Sequence, residues 1–194
     1  MSQIIGLTGG IGSGKTSVAK LFEAAGIPIY IADIEAKKAY LDPHIRAQIA
    51  VKFGTDVLTP DGINANLLAA KVFENKEALQ WLNALIHPFV KHDFEQWKFA
   101  HAAQPWLLKE AAILFETGGH LDCDVVITVT APLMLRQTRV FERDGTSKEA
   151  FEKRVAQQWT DDKKLAMSTY AIQNIDWEDT KAQVEKIIDS LLKI

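Results

Sequence analysis

The chain has 194 residues, of which 47% are hydrophobic and 24% are charged, a composition that excludes a disordered protein and fits one compact domain. Its 22 basic and 25 acidic side chains give a formal net charge of -3, so the basic excess typical of nucleic-acid-binding proteins is absent. Cys123 is the only cysteine, which excludes a disulfide within the chain and favours a reducing compartment.

The N-terminal residues lead directly into an apolar segment without a charged leader, and no stretch is long and apolar enough to cross a membrane. We therefore expect a cytoplasmic protein with neither a membrane nor a nucleic acid as a partner. A monomer or a small homo-oligomer is compatible with this composition.

The first predicted elements are a strand, a helix and a second strand. Residues 4–7 form an apolar run that predicts a buried strand, and a glycine-rich turn follows it. From residue 15, apolar residues recur at helical spacing as far as a stop signal at Gly26. Isoleucines alternate over residues 27–31 in a second strand that ends at Asp33. This is a βαβ unit, whose crossover should be right-handed.

The middle of the chain is predicted to be helical. A turn signal, Thr-Pro-Asp-Gly, occupies residues 59–62. Residues 66–103 then carry apolar side chains at helical intervals, and Pro88 is expected to start or kink one of the helices. Because no strand pattern interrupts this stretch, we expect a helical insertion at about residues 59–103.

Three more strands are predicted at residues 106–109, 125–130 and 170–172, followed by a last helix at about residues 179–192. The chain is thus predicted to be an α/β protein with a parallel sheet of about five strands and helices on both faces. The core of this single domain is expected to comprise residues 1–58, 104–138 and 160–194.

Residues 9–16 read Gly-Gly-Ile-Gly-Ser-Gly-Lys-Thr and match G-x-x-x-x-G-K-[ST], the phosphate-binding P-loop, in its required place between a strand and a helix. Glycines let backbone amides approach phosphate oxygens, and the helix start adds its positive dipole end. We expect Lys15 to bridge the β- and γ-phosphates of ATP and the Thr16 hydroxyl to bind Mg²⁺. The predicted nucleotide-binding residues of this segment are Gly10, Ile11, Gly12, Ser13, Gly14, Lys15, Thr16 and Ser17. The alternative, a glycine-rich structural turn, is disfavoured by the complete pattern.

Two further strands end in acidic residues at the edge of the sheet that the P-loop marks. Ligands of open α/β sheets bind beyond the carboxyl ends of the strands. Asp33 is a candidate to accept the proton of an attacking hydroxyl or to help hold the metal, and Glu110 is a candidate Mg²⁺ ligand. Glu116 is a weaker candidate. The alternative for each is a helix cap or a solvated carboxylate.

Arg136, Arg139 and Arg143 have the spacing that places three guanidinium groups on one helix face. Such a set repels itself unless an anion or carboxylates compensate, and the γ-phosphate of ATP is such an anion. The alternative is a solvated helix on which Glu142 and Glu152 neutralise the arginines.

A second short helix is predicted just beyond these arginines. Asp144 and Gly145 form a turn signal, and residues 146–149 have a capping-box pattern for a helix that contains Arg154. Two short helices with arginines would form a lid, at about residues 139–159, that closes over the phosphates and excludes water.

Several of these segments together resemble the dephospho-coenzyme A kinase family, in the order expected for it. The resemblance is carried by Gly-Leu-Thr-Gly-Gly-Ile-Gly-Ser-Gly-Lys-Thr at residues 6–16, Ile-Ala-Asp at 31–33, Leu-Ile-His-Pro at 85–88, Leu-Phe-Glu at 114–116, Arg-Asp-Gly at 143–145, and Asn174. Two positions depart from the family pattern. Ile31 stands where the first acid of Asp-Ala-Asp is usual, and Glu110 begins a segment that usually starts with aspartate.

The resemblance implies a P-loop NTPase fold and transfer of a phosphoryl group from ATP to the ribose 3′-hydroxyl of dephospho-coenzyme A. It implies that Asp33 activates this hydroxyl, that Lys15 and the lid arginines Arg139 and Arg143 stabilise the transferred group, and that Asn174 lies near adenine. The helical insertion would hold the pantetheine arm. Two alternatives stay open: a kinase of another small metabolite or nucleotide, and a nucleotide-binding switch without catalysis.

Overall fold

A computed structural model describes residues 2–73 and 75–193 of the chain. The strands are β1 Gln3–Thr8, β2 Ile29–Ile31, β3 Leu58–Thr59, β4 Gly62–Ile63, β5 Trp106–Glu110, β6 Val125–Thr130 and β7 Tyr170–Gln173. The helices are α1 Lys15–Ala24, α2 Ala32–Glu35, α3 Pro43–Phe53, α4 Ala65–Phe73, α5 Lys76–Ala100, α6 Leu133–Asp144, α7 Lys148–Ala156, α8 Asp161–Leu165 and α9 Trp177–Leu191. Short 3₁₀ segments lie at Ala36–Leu41, Thr55–Val57 and Gly119–Asp122.

One unit of the structure runs up to Ile31 and resumes at His101. It is built on a five-stranded sheet with the order β2-β5-β1-β6-β7, in which every neighbouring pair is parallel. Its strands lie where the apolar runs predicted them, and the helices flank the sheet. The predicted five-stranded parallel α/β architecture is therefore confirmed.

The strand β1 lies at the centre of this unit's core and is buried along nearly its whole length. Its continuous apolar run predicts such a strand, which is covered on both faces of the sheet. The helix α1 contributes Val18 and Phe22, and α9 contributes Val184 and Ile187, to the same apolar cluster as Ile5. These helical side chains recur three or four residues apart, so each helix turns one stripe toward the core.

The second unit comprises Ala32–Ala100 and has its own apolar cluster. It begins well before the predicted insertion boundary at about residue 59. Ala39, Ile45 and Ile49 pack in one cluster with Leu68 and residues of α5, so the segment ahead of residue 59 belongs to this unit and not to the sheet core. The change to helical character directly after Asp33 agrees with this boundary, whereas the Thr-Pro-Asp-Gly turn lies inside the second unit.

Two further expectations concern the helices around Pro88 and at the lid. The helix α5 continues through Pro88, which therefore does not start a helix. The predicted start of the lid at residue 139 falls inside α6, while Ser147 caps α7 by accepting a hydrogen bond from the Ala150 amide at 3.3 Å. Within the described residues, none of the helices combines the length and apolar character needed to span a bilayer.

Candidate active site

The phosphate loop, which we define as residues 9–14, joins the end of β1 to the start of α1. Gly14 precedes α1 and has a left-handed backbone with φ of 89°. Within the loop, the Ser13 amide donates a hydrogen bond of 3.1 Å to the Gly10 carbonyl and closes a tight turn. The first-turn amides of a helix have no acceptor inside that helix. The loop therefore leads into the kind of amide-rich helix start that binds an anion.

Arg136 holds the backbone of this loop. Its Nε donates a hydrogen bond of 2.8 Å to the Ile11 carbonyl, and its Nη1 donates to both carboxylate oxygens of Asp161, at 3.1 and 3.0 Å. Arg136 is only 5% exposed. A Cβ at Gly10 would lie 2.0 Å from Arg136 Nη2, so a larger residue there would displace the guanidinium from its place against the loop.

Asn174, which follows β7, holds the other end of the loop. Its Nδ2 donates a hydrogen bond of 2.8 Å to the Ser13 carbonyl, and its Oδ1 accepts one of 3.1 Å from the Thr180 hydroxyl. Its backbone carbonyl accepts a hydrogen bond of 3.0 Å from Arg139 Nη1. Because the Asn174 amide group is engaged at both ends, it fixes the position of the loop.

Lys15, Thr16 and Glu110 meet at the carboxyl edge of the sheet. Glu110 ends β5 and pairs in register with Leu7 of β1, which places it beside the phosphate loop. The Thr16 hydroxyl donates to Glu110 Oε2 at 3.4 Å, and Lys15 Nζ lies 4.0 Å from Oε1. Glu110 is 3% exposed. A carboxylate this deeply buried needs a charged partner, and the Lys15 ammonium is close enough to stabilise it.

Glu116, the weaker metal candidate, is occupied elsewhere. Its Oε1 lies 3.0 Å from Lys164 Nζ and accepts a hydrogen bond of 2.7 Å from the Trp159 amide. Lys164 also donates to the Ala112 carbonyl at 2.8 Å. Burial lowers the pKa of Lys164, while the neighbouring Glu116 acts against this change. The pair thus ties the loop after β5 to α8 and serves as a structural contact.

The model of the dephospho-CoA kinase family matches residues 3–179 of this sequence. The chain belongs to the dephospho-CoA kinase family. A dephospho-CoA kinase of Bacteroides fragilis is 38% identical over 171 residues, which cover 88% of this chain and 83% of the relative. A crystal structure from Thermus thermophilus shares 28% identity and a TM-score of 0.88, covering 98% of each chain. The structure of the dephospho-CoA kinase from Campylobacter jejuni shares 25% identity and a TM-score of 0.75, covering 100% of this chain and 98% of the other.

Membership of this family confirms the predicted P-loop kinase fold and the expected class of enzyme, a phosphotransferase. The structure explains the second glycine of the double glycine, because Gly10 makes room for the Arg136 guanidinium.

The kinase places its three α6 arginines in three different environments, so the expectation of one shared phosphate-facing set is wrong for Arg136. Arg136 is buried against the loop, and Arg139 contacts the end of β7 through Asn174. Arg143 has a side chain that is 65% exposed. It donates two hydrogen bonds, of 2.7 and 2.8 Å, to the Asp144 carboxylate. This contact raises the pKa of Arg143 and lowers the pKa of Asp144.

Asp33 lies in the first turn of α2 and is exposed. It follows Ile31, the last residue of β2, by two positions, and Ile31 pairs in register with Glu110. Asp33 belongs to the second unit of the kinase, whereas Ile31 and Glu110 belong to the first. The strand therefore leads from the sheet edge that carries Glu110 into the helix that carries Asp33.

Two residues that support the phosphate loop, Gln158 and Asp161, were not predicted from the sequence. Gln158 Oε1 accepts a hydrogen bond of 2.8 Å from the Ile11 amide, and Asp161 anchors Arg136. Neither residue belongs to a motif with a recognisable spacing. The available signal was indirect: a glycine at a variable position of the P-loop, such as Gly10, indicates that another group packs closely against the loop.

Proposed function

We propose that this kinase transfers the γ-phosphoryl group of ATP to the ribose 3′-hydroxyl of dephospho-coenzyme A, giving coenzyme A and ADP in the last step of coenzyme A synthesis. The observation that carries the proposal is the phosphate loop with Lys15 beside Glu110 at the sheet edge, in a chain of this family. ATP and dephospho-coenzyme A are then its two substrates.

The phosphate loop and α1 would hold the triphosphate. The amides in the first turn of α1 would donate to the phosphate oxygens, and the Lys15 ammonium, which lies 4.0 Å from Glu110, would contact the β- and γ-phosphates. Groups fixed in place before the reaction stabilise developing charge without reorganising, which is how such sites accelerate phosphoryl transfer. Lys15 is therefore assigned a catalytic role.

Thr16 and Glu110 fit the requirements of Mg²⁺. The hydroxyl and carboxylate oxygens are hard donors, they lie 3.4 Å apart, and Mg²⁺ is usually held by one or two protein oxygens together with substrate phosphates and water. When bound, the ion would neutralise charge on the β- and γ-phosphates. We assign Thr16 as a direct ligand and Glu110 as a ligand that acts directly or through water.

Asp33 is proposed as the general base. An exposed carboxylate at the start of α2 is available to take the proton of the 3′-hydroxyl as the oxygen attacks the γ-phosphorus. The loose transition state of phosphoryl transfer requires little proton abstraction before the oxygen attacks, so the carboxylate can take the proton late in the reaction.

The segment of α6 and α7 is proposed as the lid. Arg143 is exposed and held by the neighbouring Asp144, so a γ-phosphate that replaces this carboxylate would gain two parallel hydrogen bonds. Arg139 donates from Nη1 to the Asn174 carbonyl, and we assign its guanidinium to the nucleotide side of the site. Asn174 is assigned to the adenine side of the site, where its contact with Ser13 fixes the loop.

The second unit is proposed to hold the pantetheine arm of the acceptor. It offers partly buried aromatic side chains around its apolar cluster, among them Trp81 and Phe89. Apolar surfaces of this kind suit a long chain with few charges. We further propose a cytoplasmic enzyme that acts as a monomer or a small homo-oligomer, since a lone cysteine and a small negative net charge fit that compartment.

A direct assay tests the proposed reaction. The purified protein is incubated with ATP, Mg²⁺ and either dephospho-coenzyme A, a nucleoside, a nucleotide or a sugar, and the products are identified by mass. We expect only dephospho-coenzyme A to gain one phosphoryl group, at its ribose. Phosphorylation of another acceptor instead would replace the substrate assignment, and ATP binding without any acceptor-dependent turnover would indicate a switch protein.

A further inference from the structure

The two peptide groups that flank the Cα of Ile11, in the middle of the phosphate loop, are both held by side chains from outside the loop. The Ile11 amide donates a hydrogen bond of 2.8 Å to Gln158 Oε1. The Ile11 carbonyl accepts a hydrogen bond of 2.8 Å from Arg136 Nε. Gln158 lies two residues beyond Ala156, the last residue of α7, and Arg136 lies on α6.

Each of these contacts fixes the direction of one peptide plane. In a trans peptide the carbonyl and the amide point in opposite directions, so turning one sets the other. The Ile11 amide points to Gln158, and the Gly10 carbonyl on the same plane is therefore turned the opposite way, where it accepts the hydrogen bond of 3.1 Å from the Ser13 amide. Gln158 thus supports the turn that closes the loop.

The next peptide plane follows the same rule. Arg136 holds the Ile11 carbonyl, so the Gly12 amide on that plane points away from the guanidinium. Gly12 itself has φ of 77°, a left-handed backbone that glycine adopts without steric cost, and it packs closely against the backbone of Arg136. The contacts of Gln158 and Arg136 therefore hold the two peptide planes that precede the left-handed Gly12.

The groups that hold the loop are anchored to one another. Arg136 Nη1 forms two hydrogen bonds with Asp161, the first residue of α8, and Asp161 follows Gln158 by three positions. A charge-assisted pair with two parallel hydrogen bonds is a strong and directional contact. Gln158 and Arg136 consequently form one brace that reaches the loop from the end of α7 and from α6.

We propose that Gln158 is a positioning residue that, together with Arg136, presets the phosphate loop for the phosphates of the nucleotide before any nucleotide arrives. This proposal rests on the phosphate-binding role assigned to the loop and not on the identity of the acceptor. Since Gln158 lies two residues beyond the end of α7, the same hydrogen bond anchors the base of the proposed lid to the loop.

The test compares Gln158→Met, which keeps the side-chain length and removes the acceptor oxygen, with the matched control Gln157→Met at the neighbouring exposed position. In the nucleotide-free protein, hydrogen exchange of the Ile11 amide should become about tenfold faster in Gln158→Met and stay unchanged in the control, because one protecting hydrogen bond is lost. The dissociation constant of Mg-ADP should rise about threefold to tenfold in Gln158→Met alone.

Steady-state rates separate positioning from general damage. The KM for ATP should rise with the dissociation constant of ADP, while kcat at saturating ATP stays within about twofold, the pattern of lost uniform binding. If Gln158→Met fails to fold, Gln158→Leu is measured in the same way. Unchanged Ile11 exchange, or unchanged ADP affinity despite faster exchange, would overturn the proposal. Exchange and ADP binding need no acceptor, so these results stand even if dephospho-coenzyme A proves not to be phosphorylated.

Discussion

The Thr16 hydroxyl donates a hydrogen bond of 3.4 Å to the carboxylate of Glu110, and the other oxygen of that carboxylate lies 4.0 Å from Lys15 Nζ. Glu110 thereby lies next to both the Lys15 ammonium and the Thr16 hydroxyl, the two side chains that follow the phosphate loop. Its negative charge balances the Lys15 ammonium, so a triphosphate bound at the loop would compete with Glu110 for Lys15. Glu110 and Thr16 would hold a Mg²⁺ ion, whose charge would offset the repulsion between this carboxylate and the phosphates.

Glu110→Gln removes the charge and keeps the shape. We expect the Mg²⁺ concentration at half-maximal rate to rise about tenfold to hundredfold, since residues that support a bound metal affect it by this amount. A Mg²⁺ titration of turnover measures this, with Glu23→Gln on the exposed side of α1 as the control. An unchanged Mg²⁺ dependence would remove Glu110 from the metal site.

Lys15→Ala removes the ammonium group that we assign to the β- and γ-phosphates. Turnover should fall by about a hundredfold or more, because a preorganised charge that stabilises the transferred group is lost. Lys20→Ala, at an exposed position of the same helix, is the matched control and should retain full turnover. Circular dichroism verifies that both variants are folded. Normal turnover in folded Lys15→Ala would contradict the phosphate assignment.

Asp33→Asn tests the proposed general base. We expect kcat to fall about a hundredfold or more while the KM for ATP changes little, because a base acts in the transition state and not in binding ATP. Asp61→Asn, an exposed aspartate of the same unit, is the control. A variant with normal kcat and a raised KM for ATP would indicate instead that Asp33 helps to bind the nucleotide or its metal.

Local patterns of the sequence predicted the sheet and the phosphate loop because both depend on neighbours along the chain. The apolar run before Gly9 and the glycines up to Gly14 are encoded within a few residues of each other. The contacts that brace the loop are not encoded locally, because Gln158 contacts Ile11 from 147 residues away along the chain. Equal helical spacing also made Arg136 indistinguishable from Arg143, although packing buries one and exposes the other.

Burial controls the reactivity of Cys123. Burial raises the pKa of its thiol to about 11, and Sγ donates a hydrogen bond of 3.4 Å to the Gly119 carbonyl. At pH 8 the thiolate fraction should be about a hundredfold smaller than for a thiol with the ordinary pKa of 9.0. Alkylation by iodoacetamide should therefore be about a hundredfold slower in native than in urea-unfolded protein.

The raised pKa of Cys123 also predicts that the folded protein loses stability at alkaline pH. The folded state keeps the Cys123 proton more tightly than the unfolded state, so the stability contributed by this group is complete below pH 9.0 and declines as the pH rises toward about 11. Cys123→Ala should lack this component when unfolding is measured across that range. Equal alkylation rates in native and unfolded protein would show that the thiol is not shielded.

The buried pair of Lys164 and Glu116 predicts a loss of stability when only the lysine is replaced and a recovery when both residues are replaced. Lys164→Met leaves the Glu116 carboxylate without its cation, 3.0 Å from the vacated ammonium position, and should lower the free energy of unfolding by about 3–5 kcal/mol. Adding Glu116→Gln removes the uncompensated charge and keeps an acceptor for the Trp159 amide. The double variant should recover most of the loss, because a neutral pair needs no counter-charge.

The pH dependence provides an independent check on Lys164. Its pKa is lowered by burial, so the folded state disfavours the charged form, and the wild-type protein should gain stability from this group as the pH rises toward 10.5. Lys164→Met should not show this gain. Urea unfolding at several pH values measures both effects, with Lys186→Met on the exposed side of α9 as the control. If the single variant is as stable as the double variant, the Glu116 carboxylate is solvated and the pair does not stabilise the loop after β5.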